Sequence, residues 1–202
     1  MQRFVCEQNI LHFQKLLDGP TDATLRRTLL TLLSSAKREL ALLNSHTSGA
    51  DLSPALSRRK HTGDLESVLR QLRPSFETSA HPYMLIHPGP GLKIIDINAA
   101  FSRATFSDRR DIVGRQLFEV FPDNPAIGTA DGVSNLYASL RTVVETGQPH
   151  AMIVQRYDVR DRTGGFIERY WQPINTPVHD SGERLICLLH HVEDVTAEVL
   201  AN

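Results

Sequence analysis

Nine histidines are spread along this chain of 202 residues, and imidazole is the side chain best suited to proton transfer near neutral pH. His87, His179, His190 and His191 lie in the second half, interleaved with the carboxylates Asp158, Asp161, Glu168 and Glu193. Groups of these types make nucleophile–base pairs or metal centres when spacing makes them converge. No such spacing is present. The adjacent pair His190-His191, placed on a strand, points its rings to opposite faces and cannot chelate one ion together. Cys6 and Cys187 stand far apart in dissimilar contexts, which gives neither a disulfide framework nor zinc-finger spacing and fits a reducing compartment. A glycine-rich phosphate loop is also missing. The expectation is a protein that is not an enzyme, with no catalytic residue and no metal ligand assigned.

Composition narrows the class. Apolar residues make up 41% and charged residues 22%, as in globular domains. The net charge of -1 lacks the basic excess of a nucleic-acid-binding protein. The longest apolar run, Leu185–Leu189, falls far short of the ~20 residues that span a bilayer. Glu7, Gln8 and Asn9 occupy the place where a signal peptide is apolar. A soluble, cytoplasmic protein that binds neither membrane nor nucleic acid is expected.

The elements that must position the polar residues can be read from periodicity. Ile10, Phe13, Leu16 and Leu17 predict a helix over Gln2–Asp18, stopped by Gly19-Pro20. Thr21 and Asp22 are cap candidates for a second helix, striped by Leu25, Leu29, Leu32, Leu33, Ala36, Leu40 and Leu43. Residues 1–44 thus form a helical hairpin whose leucines must pack on the larger domain or a second copy. Residues 45–62 turn to Ser, Thr, Gly, Pro and Asp and are assigned as a flexible linker. Within it, Arg58-Arg59-Lys60-His61 reads as a solvated basic stretch, with an acidic-partner or nucleic-acid contact as the alternative. Residues 63–202 form the main domain. A leading helix over Asp64–Ser79 carries Pro74, a kink or break. Strands follow at Tyr83–Ile86 and Leu92–Ile97, then helices at Ala99–Thr105, Asp108–Val113 (capped by Ser107), Arg115–Phe121 and Gly132–Gly147. Strands at His150–Val159, Phe166–Val178 and Arg184–Val192 close the chain. Strands split around a helical block predict an α+β fold with one five-stranded antiparallel sheet.

This order and its punctuation resemble the PAS domain family over about residues 73–200. "LKIIDINAAFSRATF" is similar to that family's second strand and following helix, with Asn98 at its characteristic asparagine. "DIVGRQLFEVFPD" resembles the segment where Gly114 turns into a short helix. "YWQPINTPVHDSGERLICLLHHVEDVT" resembles the last hairpin and its exit signal, Asp194-Val195-Thr196. The resemblance implies a stand-alone sensor of bacterial type. It also implies that Trp171, Pro173, Asn175, Ile186, Leu188, His190 and Val192 point inward. Leu185, Cys187, Leu189 and His191 then form an outer face that the Asp64–Ser79 helix or a dimer partner must cover. Asn98 has two readings, satisfaction of backbone groups freed by the turn or ligand contact. His190 likewise reads as a satisfied core histidine or a ligand contact. In Gln155-Arg156-Tyr157 one alternate pair faces in. The candidate pocket is Asn98, Tyr157, Trp171, Asn175 and His190, and the signal exit is Asp194 and Thr196.

Cofactor signals of the family can be tested against these residues. The segment Gly114–Asp123 has no cysteine for flavin–thiol adduct chemistry, and Gly132–Gly147 has no histidine for haem ligation. Both modes are disfavoured, and the cofactor is left unknown. His12 in "NILHFQKLL" lacks kinase phosphoacceptor surroundings. The sequence stops six residues after Thr196, so the output is expected to be a protein contact. The expectation is a sensor and interaction module that binds a small molecule or protein partner, acting as a homodimer or with a signalling protein such as a histidine kinase or regulator. The alternative is a partner-binding or dimerisation scaffold with a packed, ligand-free core.

Overall fold

The computed structural model describes residues 1–50 and 62–201. Helices α1 (Gln2–Leu17) and α2 (Ala23–Ser48) form the expected hairpin. Asp22 caps α2, its carboxylate accepting from the Leu25 N–H at 2.8 Å. The second helix runs past the expected boundary. Ser45–Ser48, assigned to the linker by composition, are helical, and Ser45 is buried. Docking explains the difference: the Gly91 N–H donates to Ser45 O at 2.7 Å and the Ala50 N–H to Pro88 O at 2.9 Å. Helical stability in proteins comes more from such packing than from propensity. Linker residues 51–61, including Arg58-Arg59-Lys60-His61, lie outside the described residues.

Helix α3 (Thr62–Thr78) continues unbroken through Pro74, where a kink or break was expected. Strands β1 (Tyr83–Ile86) and β2 (Ile94–Ile97) follow. Next come α4 (Ala99–Thr105), α5 (Arg109–Ile112), α6 (Leu117–Val120) and α7 (Gly132–Thr146). Asp108, rather than Ser107, caps α5 by accepting from the Arg110 N–H. Gly114 has φ +85, the left-handed backbone that glycine adopts without strain. The chain then forms β3 (His150–Ala151), β4 (Gln155–Arg156), β5 (Val159–Arg160), β6 (Phe166–Ile167), β7 (Tyr170–His179), β8 (Leu185–Asp194) and α8 (Thr196–Leu200).

The main sheet is antiparallel in the order β2-β1-β8-β7-β3, with β4 also pairing β7, while β5 and β6 form a separate pair. This is an α+β fold with one principal sheet. The third expected strand, His150–Val159, is broken into β3, β4 and the start of β5. Between β3 and β4 the chain swings outward, leaving Ile153 82% exposed. Phe166–Val178 is likewise divided, into β6 and β7.

Both sheet faces are covered. The inner core joins Met84, Ile97, Phe101, Leu140, Trp171, Leu188 and Val192 from sheet and helices. On the outer face Phe76 of α3 packs with Leu85 and Cys187, so α3 is the cover that this face requires. Leu185 departs from strict alternation. A register shift at Val178/His179 places it against the inner cluster. The hairpin docks through one face of α2, which buries Leu29, Leu33, Ala36 and Ala41, while Leu25 and Leu32 stay exposed.

Candidate functional site

Apolar side chains from β1, α4, α6, α7, β7 and β8 meet without filling the space between them. They leave a cavity of about 60 Å³ for the centres of water-sized molecules. One water needs about 10–15 Å³ on this measure, so the space holds several waters or one small organic molecule. Met84, Phe101, Leu117, Phe121, Leu136, Met152 and Val192 make most of the wall. Its polar members are Thr105, Gln155, Tyr157, Trp171 and His190.

Four of those five are committed to the protein. Thr105 Oγ1 donates to Phe101 O at 2.9 Å. Gln155 Oε1 accepts from Asn135 Nδ2 at 2.7 Å, and its Nε2 donates to Ile153 O at 3.1 Å. The Tyr157 hydroxyl donates to Phe121 O, and burial pushes it well above the usual tyrosine range. The Trp171 indole N–H donates to Tyr157 O at 2.8 Å. The inward pair of the Gln155-Arg156-Tyr157 set is therefore Gln155 and Tyr157. Arg156 points out, toward Asp158 and Glu168.

His190 is the exception. Its Nδ1 lies 2.7 Å from Asn175 Oδ1, and an amide oxygen can only accept, so Nδ1 carries the hydrogen. Nε2 is then an acceptor, and it takes no hydrogen bond from the described residues. Burial, with a smaller contribution from His191, lowers the His190 pKa to about 3, so the ring is neutral. Asn175 is fully buried and does not line the cavity. It stands behind His190, its Nδ2 donating to Ser139 Oγ at 2.7 Å. Ser139 Oγ is in turn 2.8 Å from His150 Nδ1, a hydrogen bond whose direction follows the imidazole tautomer. A polar chain thus runs from the cavity wall to half-buried His150 on β3.

Gly132, the first residue of α7, determines where Tyr157 lies. A Cβ there would fall 1.9 Å from Tyr157 Cδ2, so the ring reaches the cavity only across a residue without a side chain.

Two sequence-predicted residues lie elsewhere. Asn98 is buried but does not line the cavity. Its Oδ1 accepts from the Phe101 and Tyr83 N–H groups, and its Nδ2 donates to Phe76 O and His81 O. With both amide donors and its oxygen engaged, Asn98 locks α3, β1 and α4 together. Of its two readings, this geometry matches satisfaction of backbone groups. Asp194 and Thr196 meet beyond β8. Asp194 Oδ1 accepts from the Thr196 N–H at 3.0 Å, and Thr196 Oγ1 accepts from the Tyr170 N–H at 2.9 Å. The pair ties the start of α8 to β7. Sequence reasoning missed Ser139, His150, Gly132 and the aromatic wall Phe101–Phe121, whose rings meet edge to face at 5.8 Å. None carries a local signal, since each matters only through a neighbour remote in sequence.

Comparison with known proteins completes the picture. The family described as PAS fold matches residues 76–200, more than half of the chain. No curated protein matches it in sequence. Among solved structures, a PAS domain from Colwellia psychrerythraea is 12% identical with a TM-score of 0.48, covering 64% of this chain and 98% of that one. The Rhodobacter sphaeroides LOV protein is 15% identical at a TM-score of 0.49, covering 64% and 68%. A PAS domain from the fruit-fly ELK potassium channel is 11% identical at 0.46, covering 63% and 97%. No helix among the described residues is long and apolar enough to cross a membrane. On the match over residues 76–200, this chain belongs to the PAS fold family.

Proposed function

We propose that this protein is a non-catalytic sensory module that takes a small, neutral, largely apolar molecule into the cavity and reports its presence by protein contact. The observation that carries this reading is the acceptor Nε2 of His190, the one polar lining group without a protein partner among the described residues. An apolar wall with one directed polar atom selects a ligand that is mostly hydrocarbon or aromatic and carries a single donor, such as a hydroxyl or ring N–H. An anion gains nothing there, because the imidazole is neutral and the other polar groups are engaged. Tyr157 and Trp171 supply the rigid wall, and Asn175 orients His190. Asp194 and Thr196, at the end of β8, are the route by which a shift of that strand would reach α8 and a partner. The exposed Phe4, Leu11, Leu25 and Leu32 of the hairpin favour a homodimer or a docked signalling protein as that partner.

The test is an absorption spectrum of fresh protein, mass spectrometry of what denaturation releases, and thermal unfolding against a panel of neutral aromatic and aliphatic alcohols and phenols. A ligand at a hundred times its Kd stabilises by about 2.7 kcal/mol. The expected result is a colourless protein stabilised by at least one donor-bearing compound, with the gain lost in His190→Leu. A panel that leaves the wild type unmoved, with nothing released on denaturation, favours the scaffold reading instead.

A further inference from the structure

We propose that His81, His191 and Glu193 form a binding site for a divalent transition-metal ion of the zinc class, on the sheet face opposite the cavity. His191 and Glu193 are two apart on β8 and therefore share a face. His81 belongs to the short link between α3 and β1. The register pairs Tyr83 with His191, and carried two residues further it sets His81 opposite Glu193. One potential ligand atom from each side chain lies within 4.8 Å of the other two. Glu193 Oε1 is 2.5 Å from His81 Nδ1 and 2.6 Å from His191 Nε2.

Two imidazole nitrogens and one carboxylate oxygen are a zinc ligand set, with water filling the fourth position. In the absence of an ion the carboxylate accepts from both rings. Binding moves each ring hydrogen to the other nitrogen through solvent and turns the freed lone pair to the metal. Bonds of about 2.0 Å at tetrahedral angles separate the ligand atoms by roughly 3.3 Å, so the side chains must open by less than about 1 Å. His81 and Glu193, with side chains 61% and 42% exposed, have the freedom to do this. His191 is held against Tyr83, their rings edge to face at 5.1 Å, and serves as the fixed ligand. An ion here would tie the α3–β1 link to β8 directly beside Asp194. This inference stands apart from the cavity and does not depend on what fills it.

The experiment is calorimetric titration of metal-stripped full-length protein with zinc chloride, repeated with cobalt chloride while following the visible absorption of four-coordinate cobalt. The expected result is one tight site per chain, with His81→Ala and Glu193→Gln each weakening it at least about tenfold. His179→Gln, a histidine at the opposite, turn end of the β7–β8 hairpin, should leave it unchanged. Both ligand variants alter exposed side chains, and thermal unfolding verifies their folding. Absence of a single tight site, or tight binding that survives both ligand substitutions, would show the three residues to be only a hydrogen-bonded His–Glu–His cluster.

Discussion

His190 and Asn175 stand directly opposite each other in the β7–β8 ladder, and their side chains meet at 2.7 Å on the inner face. The pairing fixes which imidazole nitrogen bears the hydrogen and leaves the other an acceptor on a ring that lines the cavity. It also makes the ring's charge state a property of the fold. Asn175 and the Phe101 ring, 6.5 Å away, face the imidazole, and the titratable neighbour that acts on it is His191 on the opposite face.

Acid should therefore destabilise the protein through His190. Its folded pKa, lowered to about 3, lies below the unfolded value of about 6.5, so the unfolded chain binds the proton more readily. The contribution to stability is complete above about pH 6.5 and is lost progressively as pH falls toward 3. Urea unfolding with a chelator present, between about pH 6.5 and 4.5, precedes the titration of ordinary carboxylates. Wild type should lose stability across that window, and His190→Gln should show a flatter dependence. Asn175→Asp places a carboxylate against the ring and should raise the His190 pKa, read by NMR titration of the imidazole. Equal slopes for wild type and His190→Gln would contradict this account.

Asn98 should matter for stability and not for binding. Asn98→Ala leaves the N–H groups of Phe101 and Tyr83 and the carbonyls of Phe76 and His81 without this partner. At about 1 kcal/mol per lost bond, and more where a group stays buried, the cost is about 4 kcal/mol. Asn98→Asp keeps the acceptor and loses both donors, so it should fall between. Urea midpoints check the order. Any ligand found for the wild type should bind folded Asn98→Asp with unchanged affinity, and a tenfold loss would place Asn98 in the site after all.

The two asparagines also show how far the sequence could be read. Both are buried polar residues beside apolar neighbours, and periodicity treats them alike. They differ only in partners that are distant along the chain: Phe76 and His81 for Asn98, Ser139 for Asn175. The long strands β7 and β8 were legible because ten residues of alternation fix every side chain once one is placed, and the resemblance to the family's last hairpin supplied that placement for Trp171, Asn175 and His190. The two-residue strands β3 to β6 have no period to read. Ser45–Ser48 looked like a linker because their helix is maintained by contacts with Pro88–Gly91 that local composition does not encode. The cluster of His81 with Glu193 joins residues 112 positions apart, beyond the reach of any spacing rule.

Gly132 offers a test of the cavity wall. Alanine is the better helix former by about 1 kcal/mol in a helix interior, so on propensity alone Gly132→Ala should stabilise α7. Contact reverses that sign. The new methyl would sit 1.9 Å from Tyr157 Cδ2, and the ring is tethered through its hydroxyl to Phe121 O. Relief requires moving the ring or the start of α7, at about 1–3 kcal/mol. Because the Trp171 indole N–H bonds Tyr157 O, tryptophan fluorescence should shift along with the urea midpoint. A stabilised variant with unchanged fluorescence would mean that Tyr157 is not held as described.

Arg38 joins the helical hairpin to the main domain. Its Nε lies 2.6 Å from Asp123 Oδ2 and its Nη2 donates to Ala130 O at 2.5 Å, while Asp123 Oδ1 accepts from the Val133 N–H at 3.0 Å. The aspartate side chain is almost fully buried and the arginine only partly exposed, 3% against 24%. Removing the cation strands a buried carboxylate, the costly way to break such a pair. Arg38→Met, which keeps the aliphatic stem, should cost about 2–3 kcal/mol and increase hydrogen exchange in α2 more than in β7 and β8. Arg38→Met combined with Asp123→Asn removes the stranded charge and should recover part of that loss, giving a positive coupling energy in the double-mutant cycle. Additive effects would mean that the hairpin docks through its leucines alone, with this ion pair a passive contact between surfaces that already fit.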